Sequence, residues 1–210
     1  MQRRAKPLER AWQRVFREAG GRVLPQCRLS ELNLGLRSTD GRRVDLVARG
    51  LSLFNGVPVC GDATMVSPLH ANGTPWAGAA DHDGVALSRT RRKHEDDYSE
   101  LVGGSRARLL VLGCEVFGRW DPEALGCLVA LSRHKAREAP ELLRSSAALA
   151  WHRRWLSLLS VAAQVALAET LVAPGCPHLT ELGAEPPPLG DLLAEQRGLE
   201  PPPASRLGPR

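Results

Sequence analysis

Nine of the chain's 16 prolines lie beyond position 172, and that segregation confines any packed core to the residues before it. From Ala173 to Arg210 the sequence passes through Pro186-Pro187-Pro188 and Pro201-Pro202-Pro203. Proline triplets hold the backbone extended and remove the N–H groups that helices and sheets need. Residues 173–210 are expected to form a mostly disordered tail, with Leu189–Gln196 as one short helix. Residues 1–172 are expected to form one domain, a size that buries a sizeable core.

Periodicity within 1–172 alternates between helix and strand. Leu8, Ala11, Trp12, Val15, Phe16 and Ala19 recur at helical spacing over 7–19, and Gly20-Gly21 stops that helix. Three β-rich runs follow, at Arg22–Leu29, Arg43–Arg49 and Val57–Ser67. In the second, Val44, Leu46 and Ala48 are expected on one face and Asp45, Val47 and Arg49 on the other. A helix is predicted over Ala79–Tyr98, then a strand over Arg106–Phe117 from the continuous apolar run LLVLGCEV. Asp121 before Pro122 is a helix-start signal. A second C-terminal helix, from Pro140 to about Val172, is apolar on most sides and expected to be well buried. The order helix, three strands, helix, strand, two helices predicts an α/β (α+β) domain around a mixed central sheet with flanking helices.

Charge and motif content narrow the function. The tail holds five acids and three arginines, so the chain's net +5 leaves +7 on residues 1–172. Arginines number 25 against three lysines, Lys6, Lys93 and Lys135. That basic balance points to an anionic partner, DNA or RNA, rather than to a membrane; no apolar run reaches bilayer-spanning length. The candidate phosphate contacts are Arg14 and Arg17 on the first helix, Arg91 and Arg92, and Arg153 and Arg154 within WHRRW. The five cysteines include no C-x-x-C pair, which excludes a zinc ribbon and fits free thiols. Cys176-Pro-His178 supplies only two ligands. There is no phosphate-binding G-x-x-x-x-G-K-[ST] loop, no H-E-x-x-H and no G-x-S-x-G.

Two acids interrupt otherwise apolar strands: Asp45 in RRVDLVARG and Asp62 in VPVCGDATMVS. A carboxylate inside such a run is costly to bury unless it pairs or binds a metal. Strand pairing can bring the two onto one face, where a hard divalent cation such as Mg²⁺ relieves their repulsion, acidifies a water and stabilises charge on a phosphate. Taken singly, each reads more simply as an ordinary strand acid, Asp45 as an edge acid paired with Arg43 or Arg49. Glu115, at the end of a buried strand, is a weaker candidate for a remote third acid. The segment SRTRRKHEDDYSEL, residues 88–101, adds a cationic helix that carries Lys93, His94 and Tyr98; its plain alternative is a solvated face of i,i+4 ion pairs.

Asp45 in RRVDLV, Asp62 in GDATMVSPL and the basic helix ending in Tyr98 together resemble the restriction-endonuclease-like, PD-(D/E)xK-type nuclease domains of retrotransposon polyproteins. The block is similar, more specifically, to the C-terminal part of reverse-transcriptase-like proteins abundant in dinoflagellate genomes, through GRWDPEAL and LAWHRRWLSLLSVAAQVALAETL. The resemblance spans roughly residues 8–172. It implies Asp45, Asp62 and the Ala63 carbonyl as ligands of Mg²⁺ or Mn²⁺, and a catalytic lysine four residues before Tyr98. That position is His94; Lys93 is one residue earlier. Three alternatives stay open: Lys93 reaches the site, His94 replaces it, or the site has decayed.

The resulting expectation is a metal-dependent DNA endonuclease that nicks its substrate, intracellular and nuclear. The alternatives are a catalytically inactive nucleic-acid-binding remnant of such a domain and a gene fragment with no retained role.

Overall fold

A computed structural model describes residues 5–172 except 33, 38 and 52. The tail beyond 172, with Cys176, His178 and the short helix expected at Leu189–Gln196, lies outside the described residues, as do Arg3 and Arg4.

The elements are α1 (Lys6–Glu18), β1 (Arg22–Arg28), β2 (Arg43–Arg49), β3 (Val59–Val66), α2 (Val85–Asp97), β4 (Arg108–Glu115), α3 (Pro122–Ala136) and α4 (Arg144–Val172), with four short 3-10 turns between them. The four strands form one mixed sheet in the order β1-β2-β3-β4. The first three are an antiparallel meander, and β4 joins β3 in parallel after the α2 crossover. The fold is thus a mixed α+β domain with helices on both faces of the sheet.

One face packs under α1, α3 and α4. Leu8, Trp12 and Phe16 of α1 meet Leu46, Leu110 and Leu112 of the sheet, Leu128 and Leu131 of α3, and Trp155 and Leu159 of α4. Burying each such large side chain stabilises by about 1.5–3 kcal/mol. The opposite face holds a smaller cluster of Cys27, Val44, Val47, Cys60, Leu109, Val111 and Leu101, with Tyr98 packed against it. Cys27, Cys60, Cys114 and Cys127 are buried free thiols, and burial raises the affinity of each for its proton.

Three expectations need correction. The helix predicted from Ala79 begins at Val85, because Gly84 sits at φ 74, a left-handed conformation that no helix interior accepts. Helix α4 buries only one stripe: Trp155, Leu159, Ala162, Ala163 and Ala166 pack inward, while Val161 and Val165 are exposed. Its inward stripe packs in the cluster with α1, α3 and the sheet, and among the described residues nothing covers the outer stripe. Its first turn is also a 3-10 turn, Glu141–Leu143, after Pro140.

The third correction concerns β2. Val44 packs in the smaller cluster, yet Leu46 and Ala48 pack in the larger one on the other face. Strict alternation therefore slips at Asp45. Strand β1 slips at the residue opposite: Val23 packs with the larger cluster and Cys27 with the smaller. Between them Gln26 has φ 50 and is absent from the β1–β2 ladder, although Pro25↔Leu46 and Cys27↔Val44 flank it in register. Both strands change phase together, so register survives while the faces exchange.

Candidate active site

The β2–β3 ladder ends at Leu46↔Gly61, and the next residue on each strand is an aspartate. Asp45 Oδ2 accepts the Ala63 N–H at 2.9 Å, so a side-chain carboxylate takes over the acceptor role as backbone pairing stops. Gly61 allows the close approach: a Cβ there would lie 2.9 Å from Leu112 Cδ1 and 3.0 Å from Leu46 Cδ1. Asp62 is 9% exposed and Asp45 is half-buried. Burial, then the charge of Asp62 and a shared hydrogen bond, push the Asp45 carboxyl up to about 7; the Ala63 N–H opposes the shift.

Helix α1 and strand β1 add groups that the sequence did not single out. Gln26 Nε2 donates to both Asp45 Oδ1 (3.1 Å) and Glu9 Oε1 (2.9 Å). Gln13 Nε2 donates to Glu9 Oε1 (3.0 Å) and reaches the Asp45 carbonyl (3.4 Å). Glu9 thus stands beside the pair, and its charge adds to the upward push on Asp45. The available signal was the i,i+4 spacing of Glu9 and Gln13 on a helix whose other polar positions are mostly arginine.

Helix α2 closes the other side. His94 Nδ1 lies 2.7 Å from Asp62 Oδ2. Burial works against a charged imidazole, but the bond to Asp62 and its charge outweigh that and raise the His94 pKa. Tyr98 stacks on His94 with ring centroids 6.3 Å apart, and its hydroxyl donates to the Arg43 carbonyl at 2.7 Å. Burial and the two aspartates hold Tyr98 in its neutral form. Lys93 is exposed, one position round the helix, and its charge disfavours a charged His94. Among the described residues it forms no hydrogen bond or ion pair with either aspartate. The residue the helix presents to the acids is His94.

The other candidates lie elsewhere. Glu115 is buried against Arg119 (3.3 Å); it is four residues beyond Val111, the β4 partner of Asp62, roughly 13 Å along the strand. Arg91 pairs with Asp121, which caps α3 by accepting the Glu123 N–H at 2.8 Å. Arg14 and Arg154 both pair with Glu18, at 2.8 and 3.2 Å. Arg17, Arg92 and Arg153 are exposed. In WHRRW, Trp155 is core and donates to Glu18 at 2.8 Å, while Trp151 is half-buried beside it. Trp120 packs edge-on against Trp12, whereas Trp76 is half-buried in a loop under Arg89.

Among the described residues no group of three or more His, Cys, Asp or Glu side chains forms a metal cage. The donor chemistry nonetheless fits a hard divalent cation that keeps several waters, which needs only one or two carboxylates. Asp45 and Asp62 converge, and among the described residues neither pairs with a lysine or arginine. In a strand, the N–H and C=O of one residue share an edge, so the Ala63 carbonyl belongs to the edge whose N–H reaches Asp45.

No protein-family model matches the chain, and no curated protein is detectably similar to it in sequence. No helix among the described residues is long and apolar enough to cross a membrane.

Proposed function

We propose that this domain is a metal-dependent endonuclease of the restriction-endonuclease-like type, derived from a retrotransposon, that nicks DNA in the nucleus. The observation that carries the reading is the convergence of Asp45 and Asp62 at the point where β2 and β3 part, with neither paired to a lysine or arginine among the described residues.

Asp45, Asp62 and the Ala63 carbonyl are the residues that would hold Mg²⁺ or Mn²⁺. The cation, when bound, supplies an acidified water and charge stabilisation on the scissile phosphate. The chain's own groups do the rest. Gln26 and the Ala63 N–H fix the Asp45 carboxylate, leaving its rotamer little freedom. His94 orients Asp62 and, when protonated, places a positive charge beside the attacked phosphate, the part that the resemblance gives to a lysine. Tyr98 holds the His94 ring by stacking and ties α2 to β2 through the Arg43 carbonyl. The exposed arginines grip backbone phosphates without reading sequence.

The His94–Asp62 bond also favours a second reading, a nucleic-acid-binding remnant without turnover, since the imidazole occupies a carboxylate oxygen that a metal needs. A supercoiled-plasmid assay with Mg²⁺, Mn²⁺ and EDTA separates the two. Nicking that requires metal and disappears in Asp62→Ala supports the nuclease. Intact plasmid in every lane with salt-sensitive gel retardation supports the remnant.

A further inference from the structure

The β1–β2 ladder sets two arginines directly opposite each other at each of its ends: Arg28↔Arg43 and Arg22↔Arg49. Like charges across a strand pair are destabilising, so a chain that keeps them gives up stability for some other end. The two pairs face opposite ways. Cys27 and Val44 point into the smaller cluster, which turns Arg28 and Arg43 to the α1 face, the face where Gln26 meets Glu9 and Asp45. Val23 and Ala48 pack with the larger cluster, which turns Arg22 and Arg49 to the other face, where the Arg49 charge acts on the Cys27 and Cys60 thiols.

Arg28 and Arg43 are both exposed, and neither guanidinium has a carboxylate partner among the described residues. Arg43 is two residues from Asp45, about 7 Å along the strand. The chain turns at Gly20-Gly21 and β1 runs back along α1, so the first turn of α1, with exposed Lys6 and the positive end of the helix dipole, lies towards the same end.

We propose that Arg28 and Arg43 form a clamp for the backbone phosphate next to the one that is cut, and so fix how the nucleic-acid strand lies across Asp45 and Asp62. The inference rests on the nuclease reading for the identity of the strand, but the clamp itself is a binding site and is tested without turnover. Two guanidiniums on adjacent strands present donor edges to one phosphate, whose charge cancels their repulsion.

The test measures binding of the full chain to a short labelled DNA duplex in EDTA, across a salt series. Arg28→Gln with Arg43→Gln should flatten the log–log salt dependence by about 2, near 0.9 for each cationic charge withdrawn from the DNA backbone. Arg22→Gln with Arg49→Gln removes the same charge from the opposite face and should leave the slope nearly unchanged. The first double variant should also melt no lower than wild type, because a repulsive pair has gone; a merely structural pair would lower the melting temperature. Equal slopes for the two double variants, or no DNA binding by wild type, would overturn the clamp. The predicted slopes in a protein that never nicks plasmid would keep the clamp and sink the hydrolysis reading.

Discussion

His94 Nδ1 lies 2.7 Å from Asp62 Oδ2, whereas Lys93, the neighbouring residue, points to solvent. One position on a helix is a turn of about 100°, enough to separate a group that touches the site from one that does not. His94→Ala should therefore reduce plasmid nicking by about 100-fold or more, the range expected on removing a charge-positioning or proton-transferring group. Lys93→Ala should change it by less than about threefold. Rates measured side by side decide the matter, and a large loss confined to Lys93→Ala would refute the assignment.

Asp45 carries the strain of the carboxylate pair. Its folded pKa lies above the unfolded value, so the fold loses stability as pH rises from about 4 to about 7, where the unfolded chain ionises and the folded one resists. Asp45→Asn should then stabilise the metal-free protein at neutral pH by about 1–3 kcal/mol, and have little effect near pH 4. Thermal melts in EDTA across that range check the sign; a variant less stable than wild type at pH 7 would contradict it.

Arg91 looks in the sequence like a phosphate contact, but its structural partner is the Asp121 carboxylate, 3% exposed at the start of α3. Removing one partner of a buried pair leaves an uncompensated charge. Arg91→Ala should cost about 2–4 kcal/mol in a urea melt. Its DNA-binding salt slope, measured where the protein is folded, should fall by less than half a unit.

Much of the fold was legible because local signals and tertiary demands agree. The β2 bounds Arg43–Arg49 coincide with prediction, and Asp121-Pro122 starts α3 as its cap chemistry requires. The site was legible in part: Asp45 and Asp62 announce themselves by being polar in apolar strands. What was hidden depends on long-range geometry. The phase slip at Asp45 needs its counterpart at Gln26, a non-glycine residue at positive φ with no local signature. Glu9 reads as one acid among arginines until β1 returns along α1. Choosing between Lys93 and His94 requires the rotation of α2 about its axis, which packing sets through buried Ala86 and Leu87, the latter against Gly113.

Glu18 joins α1 to α4 by accepting from Arg14, Arg154 and the Trp155 indole N–H. The Arg154 hydrogen bond, followed by those of Arg14 and Trp155, outweighs partial burial and holds its carboxyl at about 2. A depressed pKa stabilises the fold above the unfolded value of 4.5, and that contribution fades as pH falls towards 2. Glu18→Gln should lower stability at pH 7 by about 1 kcal/mol, mostly through the weakened indole bond. Acid titration of both proteins by circular dichroism should show the difference shrinking below pH 4.5; a constant difference would assign the effect to packing.

Asp45 and Asp62 are proposed to hold a divalent cation jointly, which Mn²⁺ binding followed by electron paramagnetic resonance tests most directly. Wild type should take up Mn²⁺ at neutral pH, and Asp45→Asn with Asp62→Asn should abolish that uptake while far-UV circular dichroism stays unchanged. Undiminished Mn²⁺ binding by the folded double variant, or none by wild type, would contradict the account.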